Sequence, residues 1–235
     1  MDYRFAKRYD GITGSAIRAI FSLLSDPEII SFAGGNPSPE TFPKEILADM
    51  AKDLLDEQGD SILQYGGTAG IPQLLNAVQA KFEREGLAPK PEELIILSGS
   101  SQGIELLTKA MVDPGDVVLV ESPTFLGALQ SFLLYQAKLV GVETDEEGIL
   151  LDDLEEKIKK YRPKFLYTIP TFQNPSGKTL RAERRKRIAE LAAQYDMIVL
   201  EDDPYGELRY EGQPQPSIKS FDKGNICLLY TSRCV

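Results

Sequence analysis

Four short stretches of the sequence carry residue types able to grip a small, flat, anionic molecule, and each follows an apolar run. Ser98-Gly99-Ser100-Ser101-Gln102-Gly103 opens a helical pattern. Its small residues let backbone N–H groups approach an anion, the helix N-terminus adds partial positive charge, and the serine hydroxyls donate further bonds. Glu121-Ser122-Pro123-Thr124-Phe125 offers Phe125 as a face for a planar ring. Pro170-Thr171-Phe172-Gln173-Asn174-Pro175-Ser176-Gly177 is a sharp loop in which Asn174, extended before a proline, can donate its side-chain amide to a ligand oxygen. Glu201-Asp202-Asp203-Pro204-Tyr205-Gly206 sets three carboxylates in a row, which repel one another unless a cation is near. A protonated ring nitrogen is such a cation, and Tyr205 can donate to the same ligand oxygen as Asn174.

Each stretch also has an ordinary reading. The Gly/Ser stretch serves equally as a capped turn, Phe125 as a core aromatic, Asn174 as a turn residue bonded to its own backbone, and residues 201–203 as a solvated acidic loop.

The elements that must position these residues follow from periodicity. An irregular N-terminal arm holds one short apolar helix candidate, Ile17–Leu24, and ends in the loop Gly34-Gly35-Asn36-Pro37-Ser38-Pro39. Pro43 suits the first position of a helix running to about Glu57. Ile71, Leu74, Leu75, Val78 and Phe82 mark a second helix over about 70–85. From there β-rich runs alternate with helical stretches. The runs are Leu94–Leu97, Val117–Val120, Leu139–Val142, Phe165–Ile169, Met197–Leu200 and Ile226–Tyr230; the helices fall near 104–111, 125–135, 152–160 and 180–195. This order predicts an α/β fold, a doubly wound, mainly parallel sheet that binds ligands at the carboxyl ends of its strands. The expected division is 1–42 as arm and substrate-side loop, 43–230 as the ligand-binding domain, and 231–235 as a non-native tail.

Composition narrows the classes. The 235 residues are 42% hydrophobic and 26% charged, as in soluble globular chains. A net charge of −10 argues against nucleic acid as a partner. No apolar run is long enough to span a bilayer, and Met1–Asp10 has no signal-peptide core, so the expectation is a cytoplasmic protein. With no histidine and only Cys227 and Cys234, neither a zinc set nor a disulfide framework is expected. Any proton shuttle would use Lys, Tyr, Asp or Glu.

Taken together in order and spacing, these stretches, with Ser15-Ala16-Ile17-Arg18, Ile30-Ser31-Phe32-Ala33-Gly34-Gly35 and Leu63-Gln64-Tyr65-Gly66, resemble the fold-type I, class I/II aminotransferases, nearest the branch of 2-aminoadipate and kynurenine aminotransferases. The resemblance implies the large domain of a pyridoxal 5′-phosphate (PLP)-dependent transferase. It implies that Ser100, Ser101 and Gln102 bind the cofactor phosphate and that Phe125, often Tyr in the family, stacks on the pyridine ring. Asn174 and Tyr205 would hold the phenolate oxygen, and Asp202 would pair with the ring nitrogen. Tyr65 would reach the cofactor phosphate of the neighbouring subunit in a homodimer, while Arg18 and Gly35 would lie on the substrate side. The reaction implied moves an amino group from an amino acid to a 2-oxo acid such as 2-oxoglutarate.

The sequence departs from this family at its end. The family's Ser-x-x-Lys motif, whose lysine forms the Schiff base, is expected after Ile226–Tyr230, but Thr231-Ser232-Arg233-Cys234-Val235 follows and no lysine comes after Lys223. Lys223 precedes the strand and is on the wrong side of it to substitute. The expectation is an incomplete or frame-shifted end, native to about residue 226, inactive alone. Two other readings compete. A nucleotide-binding enzyme would use Glu121, about twenty residues past the glycine-rich turn, but the turn lacks G-x-G-x-x-G. A regulator's aminotransferase-like sensor domain would need a basic DNA-binding region ahead of residue 3.

Overall fold

The computed structural model describes residues 4–10 and 38–230. Among these, 4–10 and 69–230 form one unit and 38–68 another. The expected helix Ile17–Leu24, Arg18, Gly35 and the tail 231–235 lie outside the described residues.

In the smaller unit, helix α1 (Lys44–Ile62) begins after Pro43, which takes the cap position rather than the first helical one. Helical geometry breaks at Gln58, one residue past the expected end, and resumes to Ile62. The apolar side chains of Ile46, Leu47, Met50, Leu54 and Leu55 are exposed, as is Tyr65 at 99%.

The larger unit opens with α2 (Pro72–Arg84), which has a proline at its start where a missing N–H costs nothing. Then follow α3 (Ser100–Met111), β1 (Val117–Ser122), α4 (Leu126–Leu134), β2 (Lys138–Asp145), β3 (Gly148–Ile149), α5 (Leu151–Tyr161), β4 (Phe165–Thr168), α6 (Ala182–Tyr195), β5 (Ile198–Asp203) and β6 (Ile226–Tyr230). The strands form one sheet in the order β3-β2-β1-β4-β5-β6. All neighbours pair in parallel except β2 and β3. That hairpin was not foreseen: two residues are too few to show a period, and Arg184 clamps it by bonding Asp145 and the carbonyls of Gly148 and Ile149.

Leu94–Leu97 is not a strand. Its Ile96 N–H bonds the Ala69 carbonyl at 2.8 Å, a single bond to a loop. A β-rich run becomes a strand only where a second backbone completes the ladder, and the described sheet offers it none.

Side chains alternate across the sheet. Val118, Val120, Phe165, Tyr167 and Leu200 pack with Ile104, Ala128 and Phe132 of α3 and α4. Leu119, Leu166 and Val199 pack with Leu154, Ile158, Ile188, Leu191 and Ala192 of α5 and α6. Helices therefore cover both faces, which explains why the strands read as continuous apolar runs. Each Val, Leu, Ile or Phe among them contributes roughly 1.5–3 kcal/mol on burial. Among the described residues, no helix is long and apolar enough to cross a membrane.

Candidate active site

The carboxyl ends of β1, β4 and β5 lie at one rim of the sheet. Alternation along β5 decides what each acid meets there. Glu201 shares the face of Val199, and its two oxygens accept the N–H groups of Ile218 and Lys219, each at 2.8 Å. Asp202 shares the opposite face with Leu200, on the side of α3 and α4. Its Oδ2 accepts the hydroxyl of Tyr167 at 2.8 Å. Its Oδ1 is buried with no hydrogen-bond partner. Burial pushes the Asp202 carboxyl up to about 6, the Tyr167 hydrogen bond pulls it down, and the charge of Asp203 pushes it up again. Burial also raises Asp203, against the charge of Arg185 and the N–H groups of Gly206 and Tyr205. The Arg185 cation and backbone amides thus answer part of the repulsion expected among the three acids.

An open buried carboxylate oxygen is costly unless a donor meets it. Asp202 pairs in register with Leu229 of β6. Gly103, in the first turn of α3, lies so close to that leucine that a Cβ there would come within 2.5 Å of its Cδ2. The helix tip is therefore near Asp202. At that tip Gly99 adopts φ 90°, a conformation few other residues accept. The Gln102 side-chain oxygen accepts the Ser98 N–H at 2.6 Å. Ser101 and Gln102 are exposed and Ser100 half-buried.

The loop after β4 delivers Asn174. Its Nδ2 lies 3.4 Å from the Tyr205 hydroxyl, so the two expected donors converge. They line an open cleft of about 700 Å³, together with Phe172, Pro175, Leu208 and Tyr210. Phe125 caps α4, half-buried, with its ring over Gly127, where a Cβ would approach to 2.5 Å. Tyr65 belongs to the other unit.

Buried polar residues hold these loops; Gln173 and Arg185 have no role expected from sequence, and Glu121 only that of a nucleotide ligand. Gln173 donates to Glu121 at 3.2 Å and to the Pro123 carbonyl at 2.7 Å, which ties the Asn174 loop to the Phe125 loop. Glu121 also accepts the Thr168 hydroxyl at 2.9 Å and the Ile169 N–H at 3.0 Å. Burial pushes Glu121 up to about 7. A carboxylate so committed has nothing left for a nucleotide's ribose, which removes the one feature in favour of the dinucleotide reading. Arg185, 1% exposed, bonds the carbonyls of Pro170, Leu180 and Pro216 and the Thr171 hydroxyl, and so closes the Asn174 loop at both ends. Nothing in the sequence around Gln173, in a turn loop, or Arg185, in a charged helix, marks either as buried.

Neither Lys81 nor Lys223 is placed as a nucleophile at this rim. Lys81 of α2 ion-pairs with Glu207 and lies 5.0 Å over the Tyr230 ring. The Glu207 hydrogen bond holds its ammonium above the usual lysine range, so it stays protonated. Lys223 is exposed and precedes Ile226, the residue of β6 paired with Val199, at the rim opposite Asp202.

Comparison with known proteins supplies a family. The family description "aminotransferase class I and II" matches residues 27–232. An aromatic-amino-acid aminotransferase of Thermococcus litoralis is 42% identical over 240 residues, covering 98% of this chain and 58% of its own. A kynurenine aminotransferase of Pyrococcus horikoshii, crystallised in complex with PMP, superposes with a TM-score of 0.88 at 41% identity, over 95% of this chain and 57% of that one. LysN, an α-aminoadipate aminotransferase of Thermus thermophilus complexed with N-(5′-phosphopyridoxyl)-L-leucine, gives a TM-score of 0.84 at 38% identity, over 95% and 56%. The chain spans a little over half the length of these relatives. In sequence and fold alike, the chain belongs to the aminotransferase class I and II family.

Proposed function

We propose that this chain carries the cofactor-binding part of a PLP-dependent aminotransferase, with Asp202 facing the pyridine nitrogen. One observation carries the reading: Oδ1 of Asp202 is buried without a partner, near the N-terminus of α3. A carboxylate oxygen in that state fits a cationic ring N–H. PLP, when bound, supplies the electron sink that amino-group transfer requires.

The chain's own residues then have separable tasks. Ser100, Ser101 and Gln102, at the helix tip, bind the phosphate. Phe125 covers one face of the ring, and Asn174 and Tyr205 converge on its phenolate oxygen. Asp202 keeps the ring nitrogen protonated. Arg18 and Gly35 on the substrate side, and Tyr65 reaching the neighbouring subunit of a homodimer, rest on the family resemblance. The same holds for the substrates. The named relatives favour an aromatic amino acid or 2-aminoadipate as donor, with a 2-oxo acid such as 2-oxoglutarate as acceptor. A cytoplasmic location is part of the same reading. The 235 residues hold no lysine after Lys223. By themselves they are expected to bind PLP without a covalent bond and to show no turnover.

Equilibrium dialysis of the purified chain against PLP tests the assignment. The unaltered chain is expected to bind, and Asp202→Asn to bind at least about tenfold more weakly, the size of one lost charge-assisted hydrogen bond. Equal binding by the two, or retention of NAD in place of PLP, overturns it.

A further inference from the structure

Asp202 is held by one side chain, and that side chain comes from the next strand. The Tyr167 hydroxyl, from β4, donates to Oδ2 at 2.8 Å and leaves Oδ1 open. We propose that Tyr167 is a positioning residue of the cofactor site: it holds Asp202 ionised and turned so that Oδ1 alone meets the ring nitrogen. The inference rests on the reading of Asp202 as that nitrogen's partner.

The tyrosine is immobile. Its side chain is fully buried, and its ring packs edge-on to Phe132, with centroids 5.5 Å apart. Phe132 is itself braced by Phe165 at 5.4 Å. With both side-chain torsions fixed by packing, the hydroxyl occupies one point relative to the sheet, and so does the carboxylate it binds.

The tyrosine is also only a donor. Burial, and then the charge of Asp202, hold its phenol far above the usual range, so the proton stays on the oxygen throughout the physiological range. Glu121 from β1 and Tyr205 also act on that phenol, and both strengthen the effect. Of the groups acting on Asp202, burial and Asp203 favour the neutral acid, whereas the Tyr167 hydroxyl favours the carboxylate. Removing that hydroxyl leaves an acid that is neutral at higher pH and free to rotate, and a neutral carboxyl does not hold a pyridinium. A purely structural tie between β4 and β5 would leave the ionisation of Asp202 unmoved when replaced by shape-conserving packing.

Tyr167→Phe keeps the ring and its contact with Phe132 while deleting the hydroxyl. The aspartate carboxyl carbons, labelled with ¹³C, are titrated by NMR in the unloaded chain, with the Asp202 signal identified by its loss in Asp202→Asn. The expected result is a rise of about one pH unit or more in the Asp202 midpoint, the effect of one hydrogen bond to a charged group. An unchanged midpoint overturns the proposal. Should the phenylalanine variant fail to fold, 3-fluorotyrosine placed at position 167 gives a more acidic hydroxyl of nearly the same shape. It is expected to lower the midpoint, and an unmoved or raised midpoint again overturns the proposal. Neither reading needs the cofactor. With ¹⁵N-labelled PLP added, the ring-nitrogen signal of the Tyr167→Phe complex is expected to move toward the unprotonated position, and binding to weaken about tenfold. A moved Asp202 midpoint without PLP binding by the unaltered chain sinks the cofactor reading while upholding the Tyr167–Asp202 coupling.

Discussion

Glu201 and Asp202 are neighbours on β5, both buried, and they face opposite sides of the sheet. On the α5/α6 side, Glu201 has both oxygens filled by backbone N–H groups of the turn Ile218–Phe221. On the α3/α4 side, Asp202 has one oxygen filled by Tyr167 and one left open. Burial raises both carboxyls, so desolvation alone does not distinguish them. What differs is the count of acceptors answered from within the chain. A filled buried acid is a staple of the fold. A half-filled one, on the reading proposed for Asp202, is completed by a ligand and held open at a cost in stability that the rest of the core offsets.

The sharpest way to break this contrast is to remove each acid in turn. Glu201→Ala strands two N–H groups, one of them buried, and is expected to destabilise the chain by about 2–4 kcal/mol. Asp202→Asn removes a buried, half-partnered charge and is expected to leave stability within about 1 kcal/mol, or to raise it, while PLP binding falls. Urea unfolding read by far-UV circular dichroism measures both. Equal losses from the two variants would erase the distinction between staple and site.

The pH dependence of stability sharpens it next. Glu121 and Glu201 are pushed from 4.5 to about 7 and Asp202 from 3.8 to about 6, each chiefly by burial. In the unfolded chain these groups release their protons at ordinary carboxylate values. Between about pH 4.5 and 7 the folded chain therefore binds more protons than the unfolded one, and its stability falls as pH rises through that window. The slope is at most about 1.4 kcal/mol per pH unit for each group. Asp145, held down to about 2 by its hydrogen bond from Arg184, acts the other way and only below the window. Urea midpoints are expected to be lower near pH 7.5 than near pH 5. A midpoint that climbs across this range would mean that the buried acids are ionised and fully compensated, Asp202 included.

The rim itself was legible from sequence because turn chemistry is local. Pro123, Pro170 and Pro204 follow the ends of β1, β4 and β5, and the residues beside them lie at the carboxyl edge. The alternation that separates Glu201 from Asp202 was equally available, being a period of two. The partners were not. Tyr167 lies inside an apolar run, and nothing near it in sequence says that its hydroxyl meets a residue 35 positions on. Glu121 was weighed as a ribose ligand because a lone acid at a strand end looks the same whether its acceptors are open or spent. Leu94–Leu97 failed for the converse reason, since strand-forming residues do not carry the identity of the strand beside them.

The smallest effect expected belongs to Lys223. It is the last lysine of the 235 residues. β5 and β6 run parallel, Val199 opposite Ile226 and Asp203 opposite Tyr230. Lys223 therefore sits before the start of the strand, the full length of β6 away from the rim that Asp202 occupies. Four intervening rises of about 3.3 Å each exceed the reach of a lysine side chain. Its neighbour Asp222 turns instead to the N–H groups of Gly224, Asn225 and Ile226, which fixes that turn at the opposite rim. Lys223→Ala is expected to leave both the PLP dissociation constant and the unfolding midpoint unchanged within error. A loss of PLP from this variant, after borohydride treatment of the unaltered chain had fixed the cofactor at position 223, would show that the two rims exchange roles and that the open oxygen of Asp202 serves something else.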